Sequence, residues 1–437
     1  MASTYLTRTP ASAGNRKTFT ISVWIKRGDL GRQQHFASGS GTEIRFTSAD
    51  KTLFRDGGAN YGLSDAVFRD VSAWYHIVYA IDTTQATESN RIKLYVNGEQ
   101  FTVTTFPTQN YDFNWNNNVE HQIGASGGTE FFDGSMSHFH NIDGTAYDAS
   151  AFGQADANGV WTIKTSPSVT YGTNGFFVLK DGNSVTDQSG NGNNFTVAGG
   201  TLTNTEDCPS NVFCTLNPLI PSNGSFSEGN NTVTTSTSTW CTVGSNLGVT
   251  SGKYYWEVKM NLLSGSTTSF YTMIGFARLQ GNSSDLGNNL TSNLGDNNGV
   301  GIYSDNGYLY HLTTNSPYTS SFKTSGNIIG VALDLDNNYA YWSINGTWQN
   351  SGDPTSGATG TGGYDLSSFA DGSFIVPASS VQNYASANQS ENEYNFGNGY
   401  FGTTPVASAG TNASGIGIFE YDVPTGYTAL STKGLDL

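Results

Sequence analysis

Apolar and polar positions alternate every second residue through most of this chain, which is the period of a strand rather than a helix. Thr18–Lys26 (TFTISVWIK) puts Phe19, Ile21, Val23 and Ile25 on one face and Thr20, Ser22, Trp24 and Lys26 on the other. A longer design occurs twice, at Trp74–Gly98 (WYHIVYAIDTTQATESNRIKLYVNG) and at Asn327–Gly346 (NIIGVALDLDNNYAYWSING). In each, a β-rich run ends in Asp, turns through polar residues, and gives way to a second run closing on Asn-Gly. Asn-Gly after alternating apolar residues is a strong hairpin signal, because both residues tolerate the positive φ of a type I′ turn. Matching hairpins in the two halves predict two β-sandwiches in tandem.

Further strands are expected at Gln122–Gly124, Phe131–Asp143 and Tyr171–Leu179, with a glycine-rich loop over Asp187–Val197. In the second half they are expected at Lys253–Lys259, Phe270–Ala277, Gly299–Tyr303, Tyr308–Leu312, Phe374–Val376, Glu393–Phe401 and Phe419–Leu430. In KYYWEVK, the residues Tyr254, Trp256 and Val258 share a face that should be buried. The helix-permissive piece is short, Asp148–Gln154. Alternation lapses between Gly199 and Asn231, where Pro209, Pro218 and Pro221 mark a linker whose Val212, Phe213, Leu216 and Leu219 could dock on a domain. The division is a first domain over 1–200, an ordered strap over 201–231 and a second domain over 232–437. No unit of 20–50 residues repeats, which excludes a solenoid or propeller.

Composition narrows the function. Of 437 residues 13% are aromatic and 12% charged, with 53 Gly, a make-up of strands and turns rather than of disorder. The net charge of −16 is uneven: residues 1–205 hold 14 Lys/Arg against 18 Asp/Glu, and residues 206–437 hold 5 against 17. Phosphate binding needs clustered Lys and Arg, so nucleic acid and anionic membrane surfaces are disfavoured as partners. No apolar stretch of spanning length and no secretory signal is visible, so no membrane insertion is expected. Cys208, Cys214 and Cys241 form neither a disulfide framework nor a metal spacing; reduced thiols are favoured over a Cys208–Cys214 bond.

In the first half FTISVWIK, WYHIVYAID, RIKLYVNG and FFDGSM resemble the LamG/concanavalin A-like jelly roll. In the second, SGKYYWEVK, MIGFAR, GVGIY, GVALDLD, YWSING and NFG resemble SPRY domains. So does the pattern F-x-Y-x-x-P-x-G-Y-x-A-L, carried by Phe419, Tyr421, Pro424, Gly426, Tyr427, Ala429 and Leu430, with Tyr400–Gly417 inserted before it. The combination of FDGSMSHFHNIDGTAYDASAFGQ, GVWTIKTSPSVTYGTNGFF, DQSGNGNNFTV and DCPSNVFCTLNPL is similar to structural proteins of tailed bacteriophages, particularly marine ones. The resemblance implies an all-β fold of two tandem concanavalin A-like jelly-roll sandwiches. It also implies a place in a virion, as a tail fibre, tail appendage or capsid-surface protein.

A glycan hydrolase of this fold needs a strand bearing Glu-x-Asp-x-x-Glu, which is absent; Glu391 and Glu393 are expected outside a central strand. His138 and His140 are placed on one face with His121 on a neighbouring strand, either as a zinc site or, as favoured here, as an exposed polar face. LamG-like domains often hold calcium at a rim, which makes Asp82, Asp133 and Asp143 candidates, with ion-free turns as the alternative. SPRY domains bind through loops at one end, which singles out Tyr303, Tyr308, Tyr310, Trp348 and Tyr364; one or two of these should contact a ligand and the rest should pack. The expected function is a non-enzymatic virion surface protein mediating host contact, plausibly through glycan. The alternatives are a purely architectural virion protein and a glycan depolymerase. Expected partners are other virion proteins, a host cell-surface glycan or protein, and further copies of the chain in a trimer anchored by its less acidic half.

Overall fold

The computed structural model describes residues 3–39, 41–180, 185–220, 222–236, 238–264, 270–279, 299–311, 314–383 and 389–436. The chain divides into two compact units, Met1–Asn204 with Cys208–Ser210, and Thr205–Asp207 with Asn211–Leu437. Helix among the described residues is confined to single 3-10 turns such as Ala149–Ala151, where Asp148 accepts a hydrogen bond from the Ser150 amide.

The first unit is a sandwich of two sheets. A six-stranded sheet runs in the order Phe176–Val178, Gly134–Asp143, Thr18–Arg27, Trp74–Asp82, Ile92–Val96, Glu99–Phe101. A seven-stranded sheet faces it, in the order Thr196–Ala198, Tyr5–Arg8, His121–Ile123, Gln33–Ser38, Thr42–Phe46, Thr52–Asp56, Ala59–Tyr61. Phe19, Ile21, Val23 and Ile25 point inward and meet Phe36, Phe54, Phe113 and Trp115 in one core. The opposite face of the same strand is buried too, with Thr20 and Ser22 at 0% exposure. A third layer covers it: the chain after Asp143 lays Phe152, Trp161, Val169 and Tyr171 across Val78, Tyr95 and Ile142.

The second unit repeats this plan. Its nine-stranded sheet is centred on Lys253–Ser264, flanked by Gln389–Asn395 on one side and Ile328–Asp334, then Tyr339–Ile344, on the other. The six-stranded sheet orders Cys241–Gly244, Phe374–Asn383, Phe270–Leu279, Gly299–Tyr303, Tyr308–His311, Thr314–Pro317. Tyr254, Trp256 and Val258 lie in the core between the sheets, with Trp342, Phe276 and Tyr394. The closing segment forms the third layer. Phe419, Val423 and Tyr427 cover Tyr255, Ala332 and Tyr341 on the outer face of the nine-stranded sheet.

Glu257 fastens that layer. Its carboxylate, fully buried, accepts hydrogen bonds from Tyr255 Oη (3.0 Å), Asn395 Nδ2 (3.1 Å) and the amides of Glu420 and Tyr421 (2.9 Å each).

The segment expected to be a strap belongs largely to this second sandwich. Cys214 and Leu216 enter its core, Phe213 enters the covering layer, and Ser225–Ser227 forms an edge strand of the nine-stranded sheet. Leu219 stays exposed. All three thiols are free.

Trp256 and Trp342 are the two largest side chains of the second core, both fully buried. Trp256 lies on its central strand. Replacing it by Ala should cost the second unit about 3–5 kcal/mol through the cavity left behind. Denaturant unfolding of the full chain, followed by the shift of one transition relative to the other, measures this.

Candidate functional site

Strand alternation in the six-stranded sheet of the second unit sends Phe270, Ile274 and Phe276 into the core, so Tyr271, Met273 and Gly275 must face out. The next strand pairs Gly275 with Gly301 and Met273 with Tyr303, and the one after pairs Gly301 with Tyr310. Two neighbouring glycines thus leave a floor without side chains, extended by Ala277 and Ala378, and tyrosines stand along its edge. Tyr303 is the hub. Its ring lies 5.8 Å from Trp240, 6.1 Å from Tyr271 in a near-parallel stack, and 5.7 Å from Tyr310 edge-on. Lys323 Nζ sits 3.5 Å above the Tyr271 ring and pairs with Asp305 at 2.9 Å, while Asn306 Nδ2 donates to Tyr310 Oη at 3.0 Å. All four aromatic side chains are partly exposed. Such a platform offers flat apolar faces ringed by hydrogen-bonding groups, which suits the C–H faces and hydroxyls of a sugar.

Of the five aromatics singled out from the sequence, the structure brings Tyr303 and Tyr310 together, and Tyr308 stands two residues from Tyr310 on the same face. The face is a sheet surface rather than a loop end. Trp348 is elsewhere, packed against Tyr255 in the covering layer. Tyr364 lies on the core side, its hydroxyl 2.8 Å from His311 Nδ1. Trp240 and Tyr271 were missed. The alternation of FYTMIGFA already turns Tyr271 outward, whereas Trp240 precedes a different strand and joins the cluster only through sheet pairing.

Comparison with known protein families agrees with the sandwich fold of both units. Residues 2–149 match the family described as the concanavalin A-like lectin/glucanases superfamily (Laminin_G_3), and residues 253–369 match the SPRY domain. The chain carries a concanavalin A-like domain and a SPRY domain. Similar solved structures include the SPRY domain of human HERC1, at 19% identity, covering 41% of this chain and 96% of that one with a TM-score of 0.30. A second is the native heptameric SAP-like pentraxin from Limulus polyphemus, at 15% identity over 33% and 71%, TM-score 0.27. No curated protein matches the chain.

In the concanavalin A-like domain the histidines are buried instead of forming an exposed polar face. His140 is 1% exposed, stacked 3.9 Å from Phe177 and bonded to Tyr171 Oη, because the third layer closes over it. A register shift between Ser137 and His140 puts His138 in a bulge at φ +49°, which breaks the two-residue alternation assumed for the pair. His121 lies on the facing sheet rather than on a neighbouring strand, against Trp115 and Phe36. His76 is clamped between Trp24 and Trp161; Trp161 Nε1 donates to its Nδ1, which leaves Nε2–H to donate to Ser22 Oγ. Among the described residues no three His, Cys, Asp or Glu side chains converge as metal ligands would.

The three aspartates do not form one rim site. Asp82 and Asp143 flank the start of Thr18–Arg27, whereas Asp133 sits beyond its other end, about 30 Å away along a ten-residue strand. Asp82 accepts from Thr84 and Gln85 within its turn, and Asp143 from Asn15, Asn116 and Asn174. Glu391 and Glu393 are on an interior strand of the SPRY domain, paired on both sides, and not outside a central strand as expected. They share Asn261 Nδ2 as a donor.

Burial sets opposite pH responses in the two domains. It pushes His76 down to about 3 and His121 to about 4, with His35 and His140 also well below the ordinary 6.5. The unfolded chain therefore takes those protons first, so this stability is complete above pH 6.5 and lost as pH falls, by about 1.4 kcal/mol per unit for each histidine. Burial pushes Glu257 up to about 7, against its four hydrogen bonds. The folded state takes that proton first, so Glu257 adds stability to the SPRY domain as pH falls from 7 towards 4.5. Calorimetry from pH 7.5 to 5 should move the concanavalin A-like transition down. The SPRY transition of the native chain should gain relative to that of Glu257→Gln.

Proposed function

We propose that this chain is a non-enzymatic virion surface protein that contacts a host through cell-surface glycan, bound on the outer sheet face of its SPRY domain. The observation that carries the reading is the Trp240–Tyr271–Tyr303–Tyr310 cluster standing beside the Gly275–Gly301 floor. Rings that meet near-parallel at Tyr271–Tyr303 and edge-on at Trp240 and Tyr310 offer a sugar more than one C–H contact surface, and Asp305, Asn306 and Lys323 supply polar groups around them. The acidic SPRY half excludes nucleic acid as the partner of this surface on charge grounds. Placement on a virion, among other virion proteins, rests on the sequence resemblance of the strap and the paired domains. A single shallow site binds weakly, so useful adhesion calls for several copies acting together, most simply a trimer.

A second reading, a glycan depolymerase, has one observation in its favour: Glu391 and Glu393 side by side on an interior strand, with the Glu393 carboxyl raised by burial.

On a glycan array the full chain should bind a discrete set of saccharides. Tyr303→Ala and Tyr271→Ala should each weaken that binding by about tenfold or more, as the loss of a stacking contact does, with unchanged melting. Unaltered binding by both variants would refute the aromatic site. Reducing-sugar release abolished by Glu393→Gln would favour the depolymerase. Light scattering should give a trimer, and a monomer at micromolar concentration would leave symmetry to the particle.

A further inference from the structure

The hairpin of Gly153–Ala155 and Trp161–Ile163 lies after residues 2–149, the part of the chain that matches the concanavalin A-like family, and it joins neither sheet of the sandwich. Its own hydrogen bonds are internal. Asp156 N–H donates to the Val160 carbonyl, Thr162 Oγ1 to the Gln154 carbonyl and Lys164 N–H to the Phe152 carbonyl. Among the described residues, the hydrogen bond that ties this hairpin to the sandwich is Trp161 Nε1–H to His76 Nδ1, at 2.9 Å. The indole is closely seated for it, since a Cβ at Gly98 or at Gly153 would stand 2.5 Å from the ring.

That bond admits one protonation state. An indole N–H only donates, so His76 Nδ1 must be a bare acceptor, and the proton sits on Nε2, which gives it to Ser22 Oγ at 2.8 Å. A second proton would stand on Nδ1 and face the indole N–H, donor against donor. The ring cannot turn to water instead: it lies flat on Trp24 at 4.7 Å and is 0% exposed. The titratable groups on the same face are Lys26 on Thr18–Arg27, Lys93 and Tyr95 on Ile92–Val96, His140 on Gly134–Asp143, and Tyr147 and Asp148 of the covering segment. None of them is a hydrogen-bond partner of the His76 ring, and Asp148, the carboxylate among them, is taken up by Ser150. His140 differs from His76. Its partner in the covering layer is Tyr171 Oη at 3.0 Å, a hydroxyl that can donate or accept, so this contact tolerates either state of the imidazole.

We propose that this hairpin is an acid-released flap, latched by Trp161 on neutral His76, whose opening uncovers His76 and Tyr95 while the sandwich beneath stays folded. Burial holds the closed His76 down at about 3, and a ring open to water returns to the ordinary 6.5. The open form therefore takes the proton first. The latch is at full strength above pH 6.5, and each unit of pH below that, down to about 3, multiplies the open population by about ten. Between pH 6.5 and 4.5 the gain is about hundredfold.

Hydrogen exchange of the full chain, followed by mass spectrometry from pH 7 to 4.5 and corrected for the intrinsic rate at each pH, tests the flap. Amide protection across residues 153–164 should fall by about tenfold per unit below pH 6.5, while that of Thr18–Arg27 and Trp74–Asp82 holds. His76→Gln, whose amide can accept from Trp161 and donate to Ser22 but does not titrate, should keep the hairpin's protection constant over the same range. Nitrogen chemical shifts of the wild-type imidazole need no variant. They should show Nδ1 bare and Nε2 protonated at pH 7, with the second proton arriving as the hairpin amides lose protection. Should His76→Gln fail to fold, this wild-type titration decides alone. Hairpin protection indifferent to pH, hairpin and sandwich strands exchanging together, a His76→Gln chain that opens as the native one does, or a proton on Nδ1 at pH 7 would each overturn the inference.

Discussion

One asparagine side chain in each domain holds the hairpin on which the rest is laid. Asn97 Oδ1 accepts from the His76 amide at 2.8 Å, while the Asn97 amide donates to the His76 carbonyl at 2.9 Å. Asn345 makes the same pair of bonds with Ile328, at 2.9 and 2.8 Å. Both asparagines sit at φ +48°, where an L side chain is tolerated best when it is bonded locally. The glycine that follows has a further duty. A Cβ at Gly98 would come within 2.5 Å of Trp161, and one at Gly346 within 2.5 Å of Tyr421. The Asn-Gly pair therefore both turns the chain and clears the seat for an aromatic ring of the covering layer.

From that seat follows the asymmetry of each domain. The sheet that bears the hairpin is buried on both faces, so its second face accepts Thr20, Ser22 and His76 only in hydrogen-bonded or stacked positions. The opposite sheet receives no comparable apolar layer among the described residues. The aromatic platform lies on this second kind of face.

Double-faced burial also explains the electrostatics. His76 and His140 in the first domain are neutral because the layer after Asp143 removes them from water, and Glu257 in the second is retained because four donors meet it there. A buried carboxylate of this kind is a poor source of net stability but a strong selector of one docking arrangement, since any other leaves it unmet. In the SPRY domain that arrangement is the return of Glu420 and Tyr421 onto the sheet.

Local period was legible in the sequence wherever an alternating run is long. Thr18–Arg27, both hairpins and the inward phase of Tyr254, Trp256 and Val258 follow from side chains pointing to opposite faces at successive residues. Gln33–Ser38, Thr42–Phe46 and Thr52–Asp56 went unread because they are short and carry Glu43, Arg45 and Arg55 on their outer face, which dilutes the apolar signal. Tyr303 and Tyr310 could be singled out as a kind of residue, but not as neighbours of Trp240 and Tyr271, since their meeting depends on which strands pair across more than thirty residues of chain. The bulge at His138 and the third layers are likewise products of pairing and coverage. Sequence determined which way each strand faces, because that is set by the backbone two residues at a time. Tertiary structure alone decided what each face meets, because burial and contact are properties of segments brought together from far apart.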